Sequence, residues 1–193
     1  MLSKAEIRAQ ASARRRERSP EETAARSVAL CAHVVAEPRW RAATSLAAFV
    51  GVKGEPDTRP LLLAALQAGK RLWLPRMGGP RRQQIEFVEV TDLAALAPAP
   101  FGLLEPHAGA GVALAEAAVD LVLMPGLAFT RAGARLGYGK GHYDGALAPL
   151  RALPRPLRIG VCLVDELVDA LPVEPHDVGV HALATEAGVL DCG

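Results

Sequence analysis

Aromatic residues are scarce in this chain. Four Phe, two Trp and two Tyr make up 4% of 193 residues, too few to build a platform for stacking nucleobases. Neither sign of charge prevails. Lys and Arg number 22 and Asp and Glu 21, a formal net charge of +1, whereas a surface built for nucleic acid is strongly basic. The three cysteines, Cys31, Cys162 and Cys192, are far apart and no Cys-x-x-Cys occurs, which excludes a disulfide framework or a zinc knuckle. Apolar runs such as residues 61–66 and 121–125 fall well short of the ~20 residues of a membrane-spanning helix. The N-terminus lacks the apolar stretch of a secretory signal. It is rich in Arg and Ala, as transit peptides are, but carries Glu6 and Glu17. A reduced, cytoplasmic protein with no nucleic-acid or membrane partner is expected.

What is present is a core. Half the residues are hydrophobic, and a chain of this length buries about two-thirds or more of its unfolded surface without a staple. Residues 3–18 read as a helix. Ser19 then reads as an N-cap, with Pro20 at the first helical position and Glu22 completing a capping box. The second helix carries Ala25, Val28, Ala29, Ala32 and Val35 at helical spacing and stops before Pro38. Residues 46–52 read as a strand, 58–68 as a helix closed by Gly69, and 71–75 as a parallel strand of one βαβ unit. Residues 78–84 form a polar turn, 85–90 an edge strand and 98–111 a surface loop.

Residues 119–124 (VDLVLM) are nearly all apolar, as in a central parallel strand buried on both faces. A Gly-rich stretch, 126–141, follows. A helix over 143–150, a strand over 158–164, a short helix over 165–171 and an extended segment over 178–185 complete the chain. Strands alternating with helices predict one α/β domain over residues 1–193 with a mostly parallel sheet. Trp40 and Trp73 read as core anchors, with Trp73, near Pro75, a candidate to line a pocket. Arg14, Arg15, Arg16 and Arg18 read as cations favoured at a helix end. The five histidines show no metal-ligand spacing.

Chemistry concentrates in Arg135–Asp144 (RLGYGKGHYD). Alternating Gly137, Gly139 and Gly141 let backbone N–H groups approach an anion. Arg135 and Lys140 add positive charge, and Asp144 adds a carboxylate that can hold a divalent metal beside phosphates. A plain glycine-rich connection gives the same pattern by itself. Walker A spacing is absent, and His142 stands where a Rossmann GxGxxG needs glycine.

Residues 120–129 (DLVLMPGLAF), Gly133 and RLGYGKGHYD together resemble the signature of the 5-formyltetrahydrofolate cyclo-ligase (5,10-methenyltetrahydrofolate synthetase) family. Lys4 and Arg8 match its N-terminal Lys-x-x-x-Arg, residues 50–58 its strand followed by Glu and Thr, residues 102–106 its Gly-x-x-Glu-Pro, and residues 172–177 its Pro…His-Asp element. The resemblance implies a three-layer α/β/α sandwich similar to the sugar-phosphate isomerase and CoA-transferase group. It implies ATP- and Mg²⁺-dependent conversion of 5-formyltetrahydrofolate to 5,10-methenyltetrahydrofolate with release of ADP and phosphate, by a monomer. It places ATP on Lys4, Arg8, Arg135, Leu136, Gly137, Tyr138, Gly139, Lys140, Gly141, His142 and Tyr143. It places folate on Val50, Glu55, Tyr138, Gly139, Lys140, Gly141 and His142. Metal falls to Asp144 and Asp177, and the catalytic roles to Lys140, Arg135 and Tyr138.

The chain departs from the family pattern at four places. Tyr138 stands where Arg is frequent, His142 where Tyr is, Thr130 where Asp is, and Gly145 where Arg is. Tyr138 and His142 carry a second reading, a non-catalytic folate- or nucleotide-binding paralogue. A weaker third is an RNA-associated protein acting through the basic N-terminal helix.

Overall fold

The computed structural model describes residues 2–78, 84–151 and 153–193. Helix α1 (Lys4–Glu17) starts at a full capping box. The Ser3 hydroxyl accepts from the Glu6 N–H, and the Glu6 carboxylate accepts from the Ser3 N–H. At α2 (Pro20–Ala36) only half of the expected box forms. Ser19 accepts from the Glu22 N–H, while the Glu22 carboxylate turns to Arg26 at 3.1 Å. A short α3 (Pro38–Ala42) leads into β1 (Ser45–Ala47), followed by α4 (Arg59–Gln67), β2 (Arg71–Gly78) and β3 (Gln84–Val90). The expected turn over 78–84 lies, in residues 79–83, outside the described residues. Then come the small β4 (Leu96–Pro98), β5 (Leu104–Pro106) and α5 (Leu114–Ala117). The central β6 (Leu121–Met124) precedes the two-residue strands β7 (Ala128–Phe129) and β8 (Arg135–Leu136). Helix α6 (His142–Leu147), β9 (Leu157–Val161), β10 (Ala182–Thr185) and β11 (Gly188–Asp191) finish the chain.

Seven strands form one sheet in the order β11-β10-β9-β6-β1-β2-β3. The inner five run parallel, and antiparallel β3 and β11 close the two edges. Strand β6 shows why helices must cover both faces. Leu121 and Leu123 pack with Leu30, Val34, Leu61 and Leu62 of α2 and α4. The alternate residues Val122 and Met124 pack with Leu114, Ala117 and Leu147 of α5 and α6. A strand buried on both sides has no polar face, which is what its sequence shows. No described helix is long and apolar enough to cross a membrane.

Several expected elements differ from the reading, three of them cut short where a hydrogen bond outside the ladder wins. The strand expected over 46–52 stops at Ala47. Beyond Ala48, the Thr58 hydroxyl donates to the Phe49 carbonyl (2.5 Å) and accepts from the Gly51 N–H (3.1 Å), folding the chain into a loop. The helix expected over 165–171 is one 3-10 turn, Val164–Glu166, after which the Val168 N–H donates to the Phe129 carbonyl. The helix expected over 143–150 is α6 followed by a 3-10 turn at Pro149. Of residues 178–185 only 182–185 join the sheet, because the N–H groups of Val178 and Val180 bond Asp144 and the Gly133 carbonyl. Strand β11 is an addition to the sequence reading, paired to β10 across a two-residue turn. So is the β4–β5 pair, whose second strand lies inside the expected surface loop.

Asp120 ties the starts of β1 and β6 together. Its Oδ2 accepts from the N–H and hydroxyl of Thr44 (2.8 and 2.9 Å) and from those of Ser45 (3.1 and 3.2 Å). The Thr44 N–H bond, chiefly, holds its pKa below the usual carboxylate value. A depressed folded pKa means stability that is present above the unfolded value and lost as pH falls through the folded one. Asp120→Ala is expected to lower unfolding free energy by about 1–2 kcal/mol at pH 7 and to lose less additional stability below pH ~4 than the wild type, as read by urea melts across pH.

Candidate active site

A cavity of about 1140 Å³ opens at the carboxyl ends of β1 and β6. After these adjacent strands the chain departs in different directions, and such a switch point is where parallel sheets take ligands. Phe49 and Val50 follow β1 into the wall, Pro125 follows β6, and Arg76 and Met77 of β2 border it. Trp73 is not among the lining residues. It is 7% exposed, part of the core, with the Arg71 guanidinium over its ring.

The Gly-rich segment reaches the cavity as β8 and the loop into α6. All of Arg135–Asp144 lines it. Gly139 and Gly141 have φ of +91° and +69°, left-handed values that favour glycine. At Gly139 a Cβ would also meet the Arg8 guanidinium at 3.0 Å. Helix α1 is held against this segment by Ile7, which packs on Ala128, Leu136 and Leu171. Lys4 and Arg8, one turn apart, thereby reach the same cavity, and Arg8 Nε donates to the Gly137 carbonyl at 2.9 Å.

The far end of the chain closes this wall. Lys4 Nζ lies 2.6 Å from Glu174 Oε2 and 2.7 Å from Asp177 Oδ2. Burial opposes its charge, but the bonds to Asp177 and Glu174 outweigh it and raise the ammonium pKa. Conversely, Lys4 holds the Asp177 carboxyl low against partial burial. Glu174, His176 and Asp177 bring potential ligand atoms within 4.8 Å of one another. Asp144 Oδ1 accepts from Arg135 Nη2 at 2.6 Å and from the Val178 N–H at 3.2 Å. Arg135 is turned into the protein. Its side chain is 3% exposed and its Nη1 donates to the Pro125 carbonyl.

The opposite corner is a buried charge network. Glu55, 7% exposed, accepts from the Val52 N–H at 3.1 Å and from the Tyr138 hydroxyl at 3.0 Å. Burial pushes its carboxyl above the usual range despite Arg15, Val52 and Tyr138. The Tyr138 ring remains half exposed in the cavity while burial and Glu55 push its hydroxyl pKa up. Tyr143 lies beneath Arg135, its hydroxyl buried with no hydrogen-bond partner among the described residues. His142 is held below its ordinary pKa by burial and by Lys140.

The cavity therefore gathers every site residue expected from the sequence: Lys4, Arg8, Val50, Glu55, Arg135 through Asp144, and Asp177. Sequence reading missed Arg15, Arg18 and Glu166. Arg15 lies in the last turn of α1, as expected, but it is buried. Ile7, Ala11 and Arg15 are the buried residues of α1, four apart. An arginine continuing an apolar stripe is the signal that could have found it. Thr130, at one family departure, closes the turn between β7 and β8 by accepting from the Ala134 N–H at 3.1 Å.

A family profile described as the 5-formyltetrahydrofolate cyclo-ligase family matches residues 1–186. The 5-formyltetrahydrofolate cyclo-ligase of Mycolicibacterium smegmatis is 37% identical over 152 residues, 76% of each chain. The mouse enzyme of the same name is 26% identical over 187 residues, 93% of this chain and 92% of its own. The solved structure of Aquifex aeolicus 5,10-methenyltetrahydrofolate synthetase superposes with a TM-score of 0.84 at 31% identity, covering 99% of this chain and 93% of that one. Sequence match and shared fold agree along nearly the whole length, and the chain belongs to the 5-formyltetrahydrofolate cyclo-ligase family, a family of ligases.

Proposed function

We propose that this chain closes the ring of 5-formyltetrahydrofolate to 5,10-methenyltetrahydrofolate at the expense of ATP, releasing ADP and phosphate. One observation carries the reading. Cations from the start of the chain, a glycine-rich loop from its middle and carboxylates from its end line a single cavity, whose other corner holds a buried carboxylate.

A formamide carbon is a poor electrophile and its oxygen a poor leaving group. Transfer of the γ-phosphoryl group to the formyl oxygen changes both. N10 then attacks the formyl carbon, loses its proton, and phosphate departs with the former formyl oxygen. Such transfer depends on positioning and charge neutralisation more than on a protein nucleophile. Lys4, Arg8, Lys140 and the backbone N–H groups of residues 137–141 bind the phosphates. Arg135 acts through Asp144, which it orients. Val50 and the Tyr138 ring pack on the pterin, and the Glu55 carboxylate accepts hydrogen bonds from its N–H groups.

Asp144 and Asp177, with Glu174 beside the latter, fit Mg²⁺ in kind. Mg²⁺ takes oxygen donors and commonly uses one or two carboxylates together with substrate phosphates, and these carboxylates face the cavity already balanced by Arg135 and Lys4. When bound, the ion neutralises phosphate charge. Lys4, whose ammonium lies on Asp177 and Glu174, would bind the nucleotide phosphates beside such an ion.

The test is direct. Folded protein mixed with 5-formyltetrahydrofolate and Mg-ATP is expected to form methenyl product, followed by absorbance. Lys140→Ala is expected to lower turnover by about 10²-fold with an unchanged melting temperature. Folate binding without ATP-dependent product would leave the non-catalytic reading in its place.

A further inference from the structure

We propose that Arg15 is a positioning residue for the folate corner: from helix α1 it fixes the Glu55 carboxylate and the Tyr138 hydroxyl in the attitude that receives the pterin. The inference rests on the folate reading of this corner given above. It goes beyond that reading by naming the group that aims the two residues.

The geometry is that of a guanidinium clamped on two sides and aimed with its third nitrogen. Arg15 Nε donates to Glu166 Oε1 at 2.7 Å, and Nη2 donates to the Gly126 carbonyl. These two bonds fix the plane of the fork. Nη1 is left pointing at the cavity corner, 2.8 Å from the Tyr138 hydroxyl and 3.7 Å from Glu55 Oε1. The side chains of Arg15, Glu166 and Glu55 are 3%, 3% and 5% exposed, so little water competes.

Charge balance explains why the fork matters to Glu55. Two buried carboxylates, Glu55 and Glu166, meet two buried guanidiniums, Arg15 and Arg18, and Arg18 Nη2 lies 3.2 Å from Glu166. The groups facing Glu55 are Arg15 from α1, Tyr138 from the Gly-rich loop, Glu166 from the turn after β9 and Tyr143 from α6. Of these described groups, Arg15 is the cation. Without it, Arg18 still holds Glu166 but Glu55 loses the guanidinium beside it, and its carboxyl takes up a proton at higher pH. A protonated Glu55 loses one acceptor for pterin N–H groups. The guanidinium of this corner comes from α1.

Lysine does not replace such a fork, because one ammonium cannot bond Glu166, Gly126 and Tyr138 in their fixed directions. The experiment is calorimetric titration of 5-formyltetrahydrofolate across pH, with KM for ATP and melting temperature alongside. The proteins are wild type, Arg15→Lys and Arg15→Met. Arg15→Met is expected to bind folate about 10- to 100-fold more weakly, with the loss of binding toward acid moved to higher pH and KM for ATP little changed. Arg15→Lys should fall between it and wild type, and it carries the same readout if the Met variant does not fold. Folate affinity and pH profile unchanged in the Arg15 variants would overturn the proposal. So would folate affinity, KM for ATP and melting temperature falling together in both Arg15 variants, since that marks a packing residue. If wild type itself does not bind 5-formyltetrahydrofolate, the folate reading fails and takes this inference with it.

Discussion

Asp144→Asn is expected to lower turnover by about 10²- to 10³-fold in a protein that remains folded. The asparagine oxygen can still accept the Val178 N–H bond that Asp144 makes at 3.2 Å. What disappears is the charge. Arg135 Nη2, 2.6 Å from the carboxylate on a side chain 3% exposed, loses its ion pair, and a buried cation without a counter-charge is costly. Some stability is therefore lost, about 1–3 kcal/mol, because Arg135 keeps its bond to the Pro125 carbonyl. The two effects separate by titrating Mg²⁺. If Asp144 holds the metal, the variant needs far more Mg²⁺ for half-maximal rate. Full activity at limiting Mg²⁺ would show that Asp144 is a partner of Arg135 alone.

Gly51→Ala is expected to have the largest effect on stability, about 3 kcal/mol. A Cβ there would sit 2.0 Å from the Pro56 carbonyl oxygen and 3.0 Å from its carbon. Those are backbone atoms, and the loop cannot yield, because the Thr58 hydroxyl bonds both the Gly51 N–H and the Phe49 carbonyl. The same loop carries Val50 and Glu55, so folate affinity should fall with stability. Gly145→Ala is the control. Nothing lies within 4 Å of its Cβ position, and in helix α6 alanine should stabilise by about 0.5–1 kcal/mol. Urea midpoints of the two variants should move in opposite directions. A Gly51→Ala midpoint equal to that of wild type would mean that the loop is looser than these contacts require.

Both results turn on contacts that differ in how far they could be read in advance. The Gly-rich segment was legible as a local pattern and the Lys4 and Arg8 pair through the family resemblance, and the cavity gathers both. Element ends were less legible. Residues 48–50 are as apolar as β1 itself, and the chain leaves the ladder because of a threonine several residues later. Residues 178–180 look like a strand but are bound to Gly133 and Asp144.

By itself the sequence determined the alternation of strands and helices, a central strand within residues 119–124, the Ser3 and Ser19 helix starts, and the motifs that mark the family. Each depends on residues near one another in the chain, where periodicity and backbone conformation act directly. Only the tertiary structure decided which charges are buried and whom they meet. Arg15 bonds Glu166 across 151 positions and Tyr138 across 123, and Lys4 meets Asp177 across 173. Composition counts those residues as part of a near-neutral balance. Burial makes them specific, because a charge removed from water must find its partner wherever the fold brings one.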